Sequence, residues 1–157
     1  MSVLGISDAA SIGMHAAALI AAEPDRPVPS AEIADRLGVS EAHLAKILQR
    51  LVHGGLLDST RGPGGGFRLV NPPSRVSLMQ VYEAIEGPFK GAGCLLRRPG
   101  CSGDACILGG LVGMVDDKFR DYFANTRLSD LTRVFSRKKP APQKAPARRR
   151  NTREKHK

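Results

Sequence analysis

The chain has 157 residues, of which 41% are hydrophobic and 25% charged, which suits one compact domain with an appendage and excludes two independent cores. No run approaches the roughly 20 apolar residues that cross a bilayer, and the first residues lack the basic start of a secretory signal, so we expect a cytoplasmic protein with no membrane partner. The net charge of +9 arises from residues 136–157, which carry ten Lys or Arg and one Glu, so charge alone does not identify a nucleic-acid-binding domain.

Two helices are predicted in the first quarter of the chain. The first is predicted over 7–22, with Ser7 or Asp8 as its N-cap. The second begins at Ser30, a predicted N-cap, and ends at Gly38, because glycine readily adopts the left-handed conformation that closes a helix.

A third helix and a β-hairpin are predicted next. Ser40 caps the helix, which covers 41–53 and repeats apolar residues at helical spacing. Two short strands over 56–59 and 67–70 flank a glycine-rich loop, whose residues tolerate positive φ angles.

The second half of the chain begins with a fourth helix, predicted from Ser77 through Ile85 because Ser77 and Gln80 form a capping-box pair. A glycine-rich segment with three cysteines follows, over 87–106. A last helix is predicted over 106–125, about 30 Å long. Its apolar stripe contains Leu108, Leu111, Val112, Val115, Phe119, Tyr122 and Phe123. The residues beyond 135 are rich in Pro, Ala, Lys and Arg and are predicted to be disordered.

This order of elements predicts a winged helix-turn-helix domain. Gly38 absorbs a sharp bend between the second and third helices, so that the third helix can enter a DNA major groove. We expect Lys46 and Gln49 to reach bases or phosphates, and Arg61 at the wing tip to enter the adjacent minor groove. The complete set of predicted DNA-binding residues is Ser30, Ser40, Glu41, His43, Lys46, Gln49, Arg50, Arg61, Gly64, Gly65 and Arg68.

The alternative for this pattern is a small helical core or a protein-interaction domain. The four glycines and one proline of the hairpin loop offer little apolar surface for core packing, which favours DNA binding. The loop is not a nucleotide-phosphate cradle, because no Gly-Lys-Ser/Thr follows it and it leads into a strand. The sequence shows no nucleophile–base pairing, no paired carboxylates in a plausible cleft and no cofactor loop, so we expect no enzymatic activity.

Two motifs are especially specific: Arg61-Gly62-Pro63-Gly64-Gly65-Gly66-Phe67-Arg68-Leu69 in the wing, and Val81-Tyr82-Glu83-Ala84-Ile85-Glu86-Gly87 before the cysteines. Together with residues 31–34, 39–40, 44–51 and 55–57, they resemble the Rrf2 family of bacterial transcriptional regulators over about residues 6–125. The resemblance implies a homodimer, joined by the long C-terminal helix, that binds a double-stranded DNA operator with two-fold symmetry.

The expected fold is therefore mainly α with a small β-hairpin wing (α+β). Residues 1–77 form the winged helix-turn-helix domain, and residues 78–135 form the cysteine loop and the dimerisation helix. Residues 136–157 form the basic tail, which we expect to add salt-sensitive, non-specific affinity for DNA.

The cysteine segment contains all three cysteines of the chain, Cys94, Cys101 and Cys106. Three thiols in one glycine-rich stretch suit a soft metal or a cluster, and Arg97 and Arg98 favour deprotonated thiols. The odd number disfavours a disulfide framework. Zinc held by the cysteines and a histidine, or simple redox thiols without a cluster, are the alternatives, although no CxxC pair typical of zinc is present.

Cluster-binding branches of the Rrf2 family carry three cysteines in this loop, so the resemblance implies a 2Fe-2S or 4Fe-4S cluster. The branch that regulates iron–sulfur biogenesis has a further His where this chain has Gly109. In the branch that senses nitric oxide, an Asp in the first helix of the partner subunit completes the cluster, and Ser7-Asp8-Ala9 aligns with that segment. The resemblance thus implies Asp8 as the fourth ligand, with His15 in reserve. A helix-dipole role for Asp8 and a packing role for His15 are the alternatives.

The expected mechanism is conformational linkage between the cluster and DNA. Losing, oxidising or nitrosylating the cluster would change the separation of the two recognition helices. A tenfold change in affinity needs only about 1.4 kcal/mol of difference between the two arrangements.

Overall fold

A computed structural model of the chain describes residues 6–91, 108 and 110–136. Within these residues the chain forms six α-helices and one two-stranded antiparallel sheet. A 3₁₀ turn at Pro73–Arg75 connects the sheet to the fourth helix. In chain order the elements are α1 Asp8–Ala21, α2 Ser30–Leu37, α3 Glu41–His53, β1 Leu57–Thr60, β2 Gly66–Leu69, α4 Leu78–Glu86, α5 Leu111–Asn125 and α6 Leu128–Ser136. The mainly α architecture with a hairpin wing is confirmed.

Local capping signals place most of the helix ends. The Ser7 hydroxyl accepts from the Ala10 amide at the start of α1, and Ser40 caps α3 in the same way through the His43 amide. Gly38 ends α2 in the left-handed conformation, with φ 67°. One cap was predicted wrongly: Pro29 is the N-cap of α2, and Ser30 is its first helical residue.

The wing is held by pairing within the hairpin and with the linker between α1 and α2. β1 and β2 pair from Leu57 opposite Leu69 to Thr60 opposite Gly66, one residue away from the predicted strand limits. Val28 and Phe67 form an additional antiparallel bridge, with both amide-to-carbonyl distances at 2.9 Å. The bridge fixes the wing relative to the start of α2.

The hydrophobic core lies between α1, α3 and α4. Alanines form much of the buried face of α1, which lets neighbouring helices approach closely. At Gly13 this approach is closest, because a Cβ there would collide with the Ile85 side chain of α4 and lie 3.2 Å from Ile47 Cγ2 of α3. One small residue therefore brings α1, α3 and α4 together.

The C-terminal part differs from the predicted single last helix over 106–125. In the described residues α5 begins at Leu111 and spans 15 residues, or about 22 Å rather than 30 Å. The helix α6 was not predicted, although Leu128, Leu131 and Phe135 recur at helical spacing. The α5–α6 junction is tied to the core, because the Leu128 amide donates to the Val76 carbonyl at 2.9 Å and the Leu128 side chain is fully buried.

None of the helices in the described ranges is long and apolar enough to cross a membrane.

Candidate functional site

Helix α3 has one face in the core and the other in solvent. Its buried residues are Leu44, Ile47, Leu48 and Leu51. The predicted contact residues on this helix, Glu41, His43, Lys46, Gln49 and Arg50, are all exposed, as is its cap Ser40. The fold thus gathers the predicted residues of the recognition helix on one solvent-facing surface.

Three of these side chains are free to bind a partner. His43, Lys46 and Gln49 make no side-chain hydrogen bond or ion pair with any residue that the structure describes. Lys46 carries a cation and Gln49 an amide, and these groups bind phosphates and base edges.

Other predicted contact residues are already engaged within the chain. The Ser30 hydroxyl donates to Glu41 Oε1 at 2.6 Å, which joins the start of α2 to the start of α3. Arg50 Nη1 donates to the Ile85 carbonyl at 3.2 Å, one of the carbonyls that the end of α4 leaves without a helical partner. Arg50 therefore stabilises the junction between α3 and α4, a role that the sequence did not indicate.

The wing presents two unpaired cations, Arg61 in the glycine loop and Arg68 on β2. Arg61 and Arg68 are exposed, and neither side chain has a hydrogen bond or ion pair among the described residues. Gly64 adopts φ 75°, and a Cβ on Gly65 would collide with the Thr60 carbonyl. The Gly65 amide donates to the Gly62 carbonyl at 2.9 Å, so the turn lies over residues 62–65, and Arg61 stands directly after β1 at the start of the loop rather than at its tip.

An aromatic cluster fixes the segment that leads toward the cysteines. Phe89, three residues beyond α4, stacks on Phe119 of α5 with ring centroids 4.8 Å apart, and Tyr82 of α4 meets Phe119 edge-on at 5.5 Å. Burial, reinforced by the nearby Glu86 carboxylate, raises the pKa of the Tyr82 phenol. The entry to the cysteine segment is thus packed between α4 and α5.

The N-terminus of α1 lies beside the end of α4. The Ser7 hydroxyl donates to Glu86 Oε1 at 2.5 Å while it accepts from the Ala10 amide. The adjacent Asp8 is exposed, and within the described chain its carboxylate has no hydrogen bond or ion pair. The carboxylate of Asp8 is therefore free, at an end of α1 that contacts the last residue of α4 in the same chain; the ligand predicted for the cysteines is the Asp8 of the partner subunit.

His15, the reserve ligand, is exposed but already makes a hydrogen bond and an aromatic contact. Its Nδ1 donates to the Ser11 carbonyl at 2.7 Å, and its ring meets Phe135 of α6 edge-on, with centroids 6.4 Å apart. Only Nε2 remains available to a metal.

The predicted metal ligands Cys94, Cys101 and Cys106 lie outside the described residues. Within the described ranges, no group of three or more His, Cys, Asp or Glu residues could hold a metal ion. The structure therefore describes the start of the cysteine segment, through Gly91, and both candidate ligands on α1, Asp8 and His15.

A charged network, not predicted from the sequence, connects the end of α1 to α2 and α6. Arg26 forms a two-pronged hydrogen bond with Glu32, which lowers the pKa of that carboxyl and raises the pKa of Arg26. Arg36 contacts Glu23 at 3.1 Å and donates to the carbonyl of Phe135 at the end of α6. The available sequence signal was limited to the pairs Glu23–Arg26 and Glu32–Arg36, three and four residues apart.

Comparison with known proteins identifies the family. The Rrf2 family model, described as an iron-dependent transcriptional regulator, matches residues 6–134. The chain belongs to the Rrf2 family of transcriptional regulators. Membership covers the helix-turn-helix, the wing, the cysteine segment and both C-terminal helices.

Individual relatives of this Rrf2 regulator share part of its length. The HTH-type transcriptional regulator BadM of Rhodopseudomonas palustris is 45% identical over 74 residues, which cover 47% of this chain and 47% of BadM. The HTH-type transcriptional regulator IscR of Pectobacterium carotovorum is 34% identical over 106 residues, which cover 67% of this chain and 64% of IscR. The chain thus spans about half the length of BadM and slightly less than two thirds of IscR.

A solved structure shares the fold. CymR, the global cysteine regulator of B. subtilis, superposes with a TM-score of 0.69 and 23% identity, over 82% of this chain and 96% of CymR. At this identity the likeness concerns the fold, and it supports the winged-helix architecture.

Proposed function

We propose that this Rrf2 regulator binds a two-fold symmetric DNA operator as a homodimer, and that an iron–sulfur cluster held by its cysteines controls the binding. The observation that carries DNA binding is the free polar face of α3, with Lys46 and Gln49, together with the two unpaired arginines of the wing. In a winged helix, the recognition helix reads the major groove while the wing contacts the neighbouring backbone or minor groove.

The predicted contact residues divide by chemistry. Lys46 and Gln49 are the groups proposed for base edges and phosphates on α3, with His43 beside them. Arg61 and Arg68, supported by Gly64 and Gly65, are proposed for the minor groove and the phosphates. Ser40 contributes mainly through the free amides of the helix start that it caps.

The exposed apolar face of α5 is proposed as the dimer interface, with a second copy of the chain as its occupant. Leu111, Met114 and Tyr122 are 53%, 61% and 59% exposed, whereas Phe119 and Phe123 of the same helix are buried. Large apolar side chains that are exposed together on one helix often mark an interaction surface in soluble proteins. The palindromic operator implied by the family requires two copies, and α5 is the element that the resemblance assigns to their contact.

The cluster is proposed to be held by Cys94, Cys101 and Cys106, with Asp8 of the partner subunit as the fourth ligand. The donor set fits, because thiolates are the usual ligands of such clusters and the exposed Asp8 carboxylate has no competing contact among the described residues. When bound, a cluster of this kind supplies a centre that oxidants, nitric oxide or iron shortage can alter. The match to a family model described as iron-dependent supports this assignment.

The contacts around the end of α4 connect the start of the cysteine segment with the recognition helix α3. The segment begins directly after Glu86, which accepts the Ser7 hydroxyl of α1. The neighbouring Ile85 carbonyl accepts from Arg50 at the end of α3, and the Ile85 side chain contacts the α1 backbone at Gly13. A displacement of the end of α4 would therefore move both α1 and the recognition helix.

Two measurements test the proposal. The first is quantification of iron, sulfide and zinc in anaerobically purified protein, together with its visible absorption. Iron with matching inorganic sulfide is expected, whereas zinc alone, or metal-free thiols, would rule out the cluster and leave a regulator with a zinc site or redox thiols.

The second measurement is the solution mass of the wild type and of Met114→Asp. A dimer is expected for the wild type, and the variant should dissociate because a buried, unpaired carboxylate is unfavourable in an apolar interface. Val134→Asp is the control, because Val134 is another exposed apolar residue, 65% exposed, and lies on α6, outside the proposed interface. A monomeric wild type, or a dimer unaffected by Met114→Asp, would contradict the assigned interface.

A further inference from the structure

The start of the recognition helix carries one acid on a surface otherwise assigned to DNA. Glu41 is the first residue of α3 and is exposed, and among the described residues its only side-chain contact is the Ser30 hydroxyl at 2.6 Å. The ion pairs of the described chain use Glu23 and Glu32 and leave Glu41 without a cation. A carboxylate beside negatively charged phosphates weakens DNA binding, unless it accepts a hydrogen bond from a donor group on the DNA.

The hydrogen bond from Ser30 uses one oxygen of this carboxylate and leaves the other accessible. Ser30 is not the N-cap of α2, a position taken by Pro29, so its hydroxyl is available to orient Glu41. A side chain held in one conformation loses less entropy when it binds. The pair therefore presents a fixed, negatively charged acceptor at the N-terminal end of α3, the part of a recognition helix that contacts base edges.

We propose that Glu41, oriented by Ser30, selects cytosine at one position of each operator half-site. In the major groove cytosine presents only its N4 amine, a donor that carboxylates accept. Guanine and thymine offer acceptors there, and adenine sets the acceptor N7 beside its N6 amine, which disfavours a carboxylate. Glu41 therefore favours one base and rejects others through uncompensated charge. This inference rests on the proposed DNA binding of the winged helix.

A purely structural role for Glu41 predicts something different. A carboxylate in the first turn of a helix interacts favourably with the helix dipole, whatever the protein binds. Loss of that interaction would lower the stability of the protein. It would weaken binding to every DNA sequence equally, so the preferred bases would stay unchanged.

The test is selection of binding sites from a random duplex library with full-length protein, for the wild type and for Glu41→Gln, Glu41→Ala and Ser30→Ala. The wild type should enrich a palindromic motif with cytosine at one position of each half-site. Glu41→Ala should lose about tenfold of discrimination there, and Glu41→Gln should shift the preference toward adenine, which glutamine contacts through N6 and N7. Ser30→Ala should reduce the cytosine preference without replacing it.

Asp25→Asn serves as the control, because it removes one exposed acidic charge in the turn between α1 and α2. Its motif should equal that of the wild type. If the Glu41 variants enrich the same motif as the wild type, the role of Glu41 in selection is refuted while DNA recognition stands. If the wild type enriches no motif at all, both the inference and the proposed sequence-specific DNA binding fail.

Discussion

The Ser7 hydroxyl joins two helix ends that are 79 residues apart in sequence: it caps α1 through the Ala10 amide and donates to the Glu86 carboxylate at the end of α4. Glu86 is the last helical residue before the segment that leads to the cysteines. One hydroxyl thus connects the start of α1 with the end of the helix that precedes the cysteine segment of the same chain.

Replacing Ser7 by alanine removes both contacts. We expect the free energy of unfolding to fall by about 1 kcal/mol, which is the usual cost of losing a serine N-cap. Denaturant titration of the cluster-free protein measures this. Ser11→Ala in the same helix is the matched control, because no side-chain hydrogen bond of Ser11 occurs in the described structure, and it should leave stability within about 0.5 kcal/mol of the wild type. Equal effects of the two substitutions would refute the capping role.

The close approach of α1 to α4 at Gly13 predicts that substitutions of Gly13 and Ile85 have coupled effects on stability. Gly13→Ala should destabilise the protein by about 1–2 kcal/mol, because the added methyl group meets the Ile85 side chain in a packed core. Shortening that side chain makes room, so Gly13→Ala combined with Ile85→Val should be more stable than the sum of the single effects. Chemical denaturation of the four proteins measures the coupling, and strict additivity would contradict the close approach.

Lys46 and Arg50 are both exposed cations of α3, yet they should behave differently. Lys46→Ala should weaken DNA binding and reduce its salt dependence by about one counterion, with the stability unchanged. Arg50→Ala should lower the stability by about 1 kcal/mol, because it removes the donor to the Ile85 carbonyl. Fluorescence anisotropy at several salt concentrations, beside thermal melting, separates the two. A stability loss confined to Lys46→Ala would reverse the assignment.

The predicted features are those whose signals are local in sequence. The caps at Ser40 and Gly38 and the capping box of Ser77 and Gln80 depend on residues within one turn, and the structure confirms each of them. The contacts of Ser30 with Glu41 and of Arg50 with Ile85 join different helices. They depend on how the helices cross, which side-chain periodicity does not specify.

The missed helix α6 has a different cause. Its apolar residues extend over only nine positions and run directly into the basic tail, so no helix was predicted over them. Packing against α1, with Phe135 against His15 and its carbonyl bound by Arg36, stabilises a helix that is short in isolation. The predicted cysteine ligands lie outside the described residues, and their role stays a prediction.

The basic tail should contribute affinity without selectivity. Deleting residues 138–157 removes nine of the ten tail cations, so binding to any duplex should weaken and the dependence of affinity on salt should become shallower. The preferred operator should stay the same, because the proposed base contacts lie on α3 and the wing. Binding isotherms over a salt series measure this, and an unchanged salt slope would show that the tail does not touch DNA.

The central claim, that the cluster controls DNA binding, is tested most directly by measuring operator affinity of cluster-loaded and cluster-free protein in matched salt. The same measurement on a variant with Cys94, Cys101 and Cys106 all replaced by serine provides the reference. The wild type should show at least a tenfold difference between the two states, which corresponds to about 1.4 kcal/mol, and the variant should bind as the cluster-free wild type does. Equal affinity of the loaded and cluster-free wild type would contradict the claim.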